Sequence, residues 1–194
     1  MTEELHYLPA TRLLELFKLR KLSPVELLEA QIDRAWKAEP KINAFTQTFY
    51  DQSLVMARKS EARYMRPNAR LRALEGLTVA IKDEGAVKGQ RSTVGSLLLR
   101  DNVAEESDVF NDRILKAGAI CHARTATPEF CCAAVTHSRL WGVTRNPWNR
   151  ELHTGWFLRR LWRRARGRYD DTGERFGHRW LHSNTRIVQR CCWF

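Results

Sequence analysis

The sequence changes character at residue 152, and this break limits how much of the chain can form a folded domain. Residues 153–194 hold 10 of the 33 basic residues, all of them arginine, but only 3 of the 22 acidic ones. They also hold four of the seven tryptophans. Residues 1–152 have the mixed charge and apolar patterning of an ordinary globular domain. We therefore expect a folded unit over 1–152 and a basic tail over 153–194 that is disordered, irregular or only spuriously helical.

The first part of the chain carries clear helix signals. Ser23 and Glu26 have the spacing of a capping box, in which each side chain bonds the backbone of the other, and a proline follows Ser23 at the first helical position. Four apolar residues then recur on one helical face: Val25, Leu28, Ile32 and Trp36. The pattern predicts an amphipathic helix that ends before Pro40, with a shorter helix over 11–20 and another over 53–65.

A strand, a helix and a second strand follow. The apolar run "LTVAI" at 77–81 predicts a buried strand, and it delivers Lys82 and Asp83 at its carboxyl end. A helix is expected over 108–116 and a strand over 119–124. This order indicates an α/β fold, and in open α/β sheets ligands bind at the carboxyl ends of the strands.

Four segments within residues 8–152 share a pattern: "LSPVELLEAQIDRAWKAEPKINAF", "LEGLTVAIKDEGAVKG", "AGAICHARTATPEF" and "GVTRNPWN". They resemble the amidase signature hydrolases, a family that includes bacterial amidases and the A subunit of the glutamyl-tRNA amidotransferase. The resemblance implies N-terminal helices followed by the start of a mixed sheet, which 1–152 would leave incomplete. It also implies hydrolysis of the carboxylic amide C–N bond of a small molecule, without a cofactor or metal ion.

The resemblance assigns a role to Lys82 in a Ser–cis-Ser–Lys triad. As a neutral amine, Lys82 would draw a proton from a bridging serine, which in turn activates the nucleophilic serine. The family's serines lie in motifs resembling PGGSSGGS and GSDIGGSIRIPA after "NPW", and both motifs are missing from this chain. From the residues alone, Lys82 could instead pair with a nearby carboxylate such as Asp83.

The residues of the tail allow the missing motifs to be read in another reading frame. Tryptophan has the single codon TGG, so Trp156 followed by Phe157 must give GGT, a glycine codon, when read one base late. Suitable codons extend this reading to PGGSSGGS over 154–162 and to GSDIGGSIRIPA further on. We hypothesise one extra base near the codons of Leu152 and His153. The tail would then be an out-of-frame translation of the catalytic signature, and the chain an inactive N-terminal fragment.

Two other functions are compatible with parts of the sequence. The arginines of 159–168, with Trp156 and Trp162, could bind phosphates and stack on bases of a nucleic acid. A tail without lysine that encodes an amidase signature in another frame does not favour this reading. A non-catalytic partner that docks through the helix of 24–36 has no positive support. Salt-dependent polynucleotide binding would identify the first of these, and co-purification of a partner the second.

The remaining features are less specific. Five cysteines without a CxxC pair indicate neither a zinc site nor a disulfide framework. Cys131 lies near the expected active-site loop, but with no base predicted beside it we interpret it as a packing residue, and we interpret His122 and His137 as structural. The chain has no apolar run that could span a bilayer and no signal peptide at its start, so we expect a cytoplasmic protein without a membrane partner. The amide substrate and the oligomeric state stay open.

Overall fold

The computed structural model describes residues 5–151, and within this range the backbone forms four α-helices and five strands. The helices are α1 Ala10–Lys18, α2 Pro24–Ile42, α3 Tyr50–Met65 and α4 Val109–Lys116. The strands are β1 Phe45–Thr48, β2 Thr78–Lys82, β3 Ile120–Thr125, β4 His137–Ser138 and β5 Gly142–Val143. Short 3-10 turns cover Leu5–Tyr7 and Glu129–Cys131. The predicted tail of 153–194 lies outside the described residues.

The start of α2 confirms the predicted capping box. The Ser23 side chain accepts a hydrogen bond from the Val25 amide at 3.0 Å, and the Glu26 carboxylate accepts one from the Ser23 amide at 2.8 Å. The Ser23 hydroxyl also donates to Glu61 on α3. One serine therefore begins α2 and ties it to the next helix.

The other end of α2 differs from the prediction. The helix continues through Pro40 to Ile42, because a proline in the last turn removes only one intrahelical hydrogen bond. Asn43, with a φ of 57°, closes the helix by donating its amide to the Glu39 carbonyl. Placing Trp36 on the buried face was wrong, since this side chain is 70% exposed.

The other three residues of that face pack as predicted. Leu28 is fully buried against Ala57 of α3 and Ile120 of β3, and Val25 and Ile32 pack around this cluster. A second cluster joins the first three helices to the start of β2; its most buried members are Leu13, Phe17 and Leu27. The helices therefore cover one face of the sheet near its middle strand.

The principal sheet has the strand order β1-β3-β2 and is mixed. β2 and β3 are parallel and are connected through α4, which confirms the predicted strand–helix–strand unit, while β1 is antiparallel to β3 and was not predicted. All six residues of β3 are buried. The α/β fold class is confirmed, and the carboxyl ends of the two parallel strands lie together at one edge.

Gly76, just before β2, provides a test of the packing between the helices and the sheet. It has a φ of +77°, and a Cβ atom there would lie 2.7 Å from the Pro24 Cγ. We expect Gly76→Ala to lower the free energy of unfolding by about 2–4 kcal/mol, from backbone strain and this collision together. Urea unfolding of the purified chain measures the loss.

The matched control is Gly89→Ala. Gly89 has the same φ of +77°, but its added Cβ would meet no atom within 4 Å. This variant therefore carries the backbone strain alone, about 1 kcal/mol. Equal losses of unfolding free energy for the two variants would show that the expected collision with Pro24 contributes nothing to the effect of Gly76→Ala.

Candidate active site

Lys82 is the last residue of β2 and lies at the carboxyl edge of the principal sheet. It pairs in register with Thr125, the last residue of β3. Its side chain is 29% exposed, so the amine is accessible from one side. The structure therefore brings the predicted lysine to the predicted edge.

The Lys82 amine contacts two side chains that the sequence analysis did not connect with it. Its Nζ donates to the Glu84 Oε2 at 2.9 Å and lies 4.0 Å from the Cys131 Sγ. The Cys131 thiol donates to the same Glu84 oxygen, and the Thr127 Oγ1 lies 3.1 Å from the sulfur. We call these four residues the lysine–thiol cluster: Lys82, Glu84, Thr127 and Cys131.

The expected alternative partner of Lys82, Asp83, points away from it. Consecutive side chains at the end of an extended segment face opposite sides. The fully buried Asp83 carboxylate accepts hydrogen bonds from the Thr93 hydroxyl, the Thr93 amide at 3.2 Å and the Gly95 amide at 3.4 Å. Trp141 also donates to the Thr93 hydroxyl, at 3.0 Å. Asp83 thus anchors a loop, and the ion pair of Lys82 is with Glu84.

The interpretation of Cys131 as a packing residue was wrong. Its side chain is exposed, and it lies in a turn in which Phe130 and Cys131 have φ values of 48° and 56°. The turn is held against the loop after β2, because the Phe130 amide donates to the Val94 carbonyl at 2.9 Å and the Ser96 hydroxyl donates to Glu129 at 2.7 Å. This folding back brings the sulfur to Lys82.

Charge in the lysine–thiol cluster is set mainly by burial and by these hydrogen bonds. Burial raises the pKa of Glu84, but the hydrogen bonds from Cys131 and Lys82 outweigh it, so that its pKa lies below the usual range and the group is a carboxylate. The Cys131 residue is exposed, but its thiol is partly buried against Glu84 and Thr127; this partial burial and the hydrogen bond to Glu84 raise the pKa of the Cys131 thiol, which stays protonated at neutral pH. The cluster therefore pairs a carboxylate with two proton donors.

Arg124 of β3 is a buried residue that contacts the backbone next to Glu84. Its side chain is fully buried, and its guanidinium donates to the carbonyl of Gly85, the residue after Glu84. Within 5–151 its Nε and Nη1 atoms have no hydrogen-bond partner. Burial lowers the pKa of this guanidinium. Arg124 fixes the backbone that carries Glu84.

The two histidines differ in environment. His122 is buried in β3 with its ring 5.9 Å from that of Phe45, and burial lowers its pKa to about 4, so it is neutral at pH 7. His137 is exposed on β4. Within residues 5–151 no three histidine, cysteine or acidic side chains are grouped to hold a metal ion. None of the helices in this range is both long enough and apolar enough to cross a bilayer.

Comparisons with known proteins agree on one family. The family model described as Amidase matches residues 26–155. An acylamidase of Rhodococcus erythropolis is 37% identical over 150 residues, which are 76% of this chain and 31% of that protein. The A subunit of the glutamyl-tRNA(Gln) amidotransferase of Symbiobacterium thermophilum is 33% identical over 148 residues, 76% of this chain and 30% of that protein. The chain thus spans about 30% of the length of these relatives.

Solved structures show the same likeness. A bacterial aryl acylamidase of the amidase signature family superimposes with a TM-score of 0.71 at 26% identity, over 78% of this chain and 31% of that one. A fatty acid amide hydrolase also superimposes with a TM-score of 0.71, at 24% identity over 77% of this chain and 27% of that one. At this level of identity the likeness shows a shared fold alone. Because the family model covers more than half of the residues, this chain belongs to the amidase signature family.

Proposed function

We propose that the gene of this chain, read without the extra base near codons 152 and 153, encodes an amide hydrolase that uses Lys82 as the base of a Ser–cis-Ser–Lys triad. The observation that carries the proposal is that the residues of the tail permit an unbroken reading of PGGSSGGS and GSDIGGSIRIPA in the displaced frame. The family match ends at residue 155, close to the point where the frame changes. Residues 1–152 are then the authentic part of the domain and 153–194 an out-of-frame product.

The position of Lys82 suits a base in this reaction. A partly exposed amine at the end of a parallel strand can receive a proton from a group placed on the open side of the sheet edge. In the proposed reaction the nucleophilic serine loses its proton to the bridging serine, and this serine passes its own proton to the Lys82 Nζ. The amine later returns a proton to the leaving nitrogen.

The restored second motif would supply the rest of the chemistry. Its serine, encoded across the codons of Leu181 and His182, attacks the amide carbonyl, and neighbouring backbone amides stabilise the oxyanion. Lys82 must leave its ion pair with Glu84 before it can accept a proton, so binding of the serine motif and opening of that pair are coupled. The chain as written lacks both motifs, and we propose that it is inactive.

The first experiment is to sequence the gene in its natural source across codons 150–156. We then express two forms, the gene with one base removed at 152–153 and the chain as written. Hydrolysis of a panel of acyl anilides and primary amides is followed by aniline or ammonia release. We expect turnover by the frame-restored product and none by the chain as written.

Two outcomes would contradict the proposal. One is a folded, frame-restored product that hydrolyses none of the amides. The other is tight, salt-sensitive binding of polynucleotide by the chain as written that disappears when 153–194 are removed, since this would show a functional role for the arginine-rich tail.

A further inference from the structure

Two nucleophiles in the lysine–thiol cluster share one acceptor atom. The Lys82 amine at 2.9 Å and the Cys131 thiol both donate to the Oε2 of Glu84. The nitrogen and the sulfur are 4.0 Å apart. The Thr127 hydroxyl contacts the sulfur from another direction at 3.1 Å, which restricts its orientation. The carboxylate therefore holds the amine and the thiol side by side.

The nitrogen and the sulfur are close enough to be joined covalently. They are 4.0 Å apart, and rotation of the long Lys82 side chain can bring them closer. Oxidation of the thiol places one oxygen on the sulfur, and this oxygen can become the bridging atom. We propose that Lys82 and Cys131 form a reversible oxidative cross-link in which a single oxygen joins the Lys82 Nζ to the Cys131 Sγ. It is a covalent modification site, and hydrogen peroxide is the oxidant.

The chemistry balances with two molecules of peroxide. The first oxidises the thiol to a sulfenic acid and releases one water. In the second step the sulfenic oxygen bonds to the Lys82 nitrogen, one N–H bond and the sulfenic O–H bond are broken, and the second peroxide accepts two electrons and two protons to become two waters. The product gains one oxygen and loses two hydrogens relative to the reduced pair.

The site meets the requirements of this reaction. Both reacting side chains are open to a small oxidant, because Lys82 is 29% exposed and Cys131 is exposed. Sulfur reacts as the thiolate, and because partial burial and the hydrogen bond to Glu84 raise the pKa of the Cys131 thiol, we expect the first step to become faster as the pH rises. The same Glu84 oxygen accepts a hydrogen bond from the Lys82 amine, so Glu84 holds the nitrogen beside the sulfur for the second step.

The cross-link would remove the Lys82 amine from any proton transfer. If the proposed amidase function holds, oxidation switches the enzyme off and a thiol reductant restores it; that consequence rests on the proposed function. The cross-link itself does not, since it needs only residues 82–131 in the described arrangement. It can therefore be tested on the chain as written.

The test treats the purified chain with hydrogen peroxide, quenches it with catalase, alkylates free thiols and maps the peptides without reduction. We expect a linked peptide pair containing Lys82 and Cys131, heavier by one oxygen and lighter by two hydrogens than the sum of its parts. Alkylation of Cys131 should be lost and should return after dithiothreitol. The experiment is done in a Cys132→Ser background, which excludes a disulfide between the neighbouring cysteines.

Two variants act as controls. Lys82→Arg keeps the positive charge but cannot form the bridge, so Cys131 should be recovered as sulfinic or sulfonic acid. Glu84→Gln keeps the shape of the site but removes the charged acceptor that the amine and the thiol share, so a smaller fraction of the oxidised Cys131 should be recovered in the linked pair. The proposal is overturned if peroxide converts Cys131 to these acids at the same rate with Lys82 as with arginine, or if Cys131 links only to other cysteines. Circular dichroism of each variant confirms that it is folded.

Discussion

Replacing Lys82 by methionine in the frame-restored enzyme is expected to lower kcat/KM for amide hydrolysis by at least about 10³-fold. Methionine retains an unbranched side chain of similar length, so packing beside Thr125 is largely preserved while the amine is lost. Without the amine, the bridging serine has no acceptor for its proton and cannot take the proton of the nucleophilic serine. Steady-state kinetics on the best anilide substrate of the wild-type enzyme measure the loss.

The matched control is Lys88→Met, which removes the same charge from an exposed position beyond the end of β2. We expect its kcat/KM to lie within about twofold of the wild-type value, because surface substitutions away from a site have small effects. A Lys82→Met enzyme that keeps most of its activity would reject the role of this residue while leaving the family assignment intact. Similar losses in both variants would point to a general effect of charge.

The features that could be predicted from sequence are the ones encoded by near neighbours. The capping box needs only Ser23 and Glu26, three positions apart, and the structure contains both of its hydrogen bonds. The strand that ends at Lys82 is a mostly apolar, β-branched run, and it was placed within one residue of β2. The interactions behind such local patterns are made between residues close in sequence, so they form largely independently of the rest of the fold.

Features that depend on distant residues were missed. β1 has the short polar sequence "FTQT", and it becomes a strand because it pairs with β3, far along the chain. Trp36 continues the apolar spacing of α2, but its side chain is exposed in an open surface pocket that it shares with the edge strand β1. Helix periodicity shows which residues share a face, whereas the extent of the neighbouring element decides how many of them are covered.

The candidate site also has one part that could be predicted from the sequence and one part that could not. Lys82 could be chosen because its motif resembles a family and its strand delivers it to the sheet edge. Its contact with Cys131, 49 positions away, depends on the loop of left-handed residues at 130 and 131. Positive φ values at phenylalanine and cysteine have no sequence signal, since both residues usually avoid this region. Glu84 was overlooked for the related reason that Asp83 stood nearer in sequence.

The second large effect, on stability, is expected from a substitution at Glu75, a fully buried carboxylate in the segment before β2. It accepts hydrogen bonds from Arg63 at 2.7 Å, from Arg72 at 2.7 and 2.9 Å, and from the Ser60 hydroxyl at 2.7 Å. We expect Glu75→Gln to lower the free energy of unfolding at pH 7 by about 3 kcal/mol, because an amide of the same shape presents hydrogens to these donors and leaves two arginines without a counter-charge. Urea unfolding of both proteins at pH 7 measures this difference in the free energy of unfolding.

The loss should depend on pH in a defined direction. Burial raises the pKa of Glu75, but the hydrogen bonds from Arg72, Ser60 and Arg63 outweigh it and lower the pKa to about 2, from an ordinary value of 4.5. A carboxyl with a lowered pKa in the folded state stabilises the protein above its unfolded pKa and loses this contribution as the pH falls. The stabilities of wild type and Glu75→Gln should therefore converge between about pH 4.5 and 2.

A surface ion pair gives the control for this prediction. Glu15 pairs with Arg12 at 3.1 Å, and both side chains are about half exposed. Since water screens this pair, Glu15→Gln should change the free energy of unfolding by no more than about 0.5 kcal/mol at any pH. If Glu75→Gln behaved like Glu15→Gln, the arginines around Glu75 would be stabilised by water and not by the carboxylate. A loss near 3 kcal/mol that disappears in acid would identify Glu75 as the charge that holds α3 to the segment before β2.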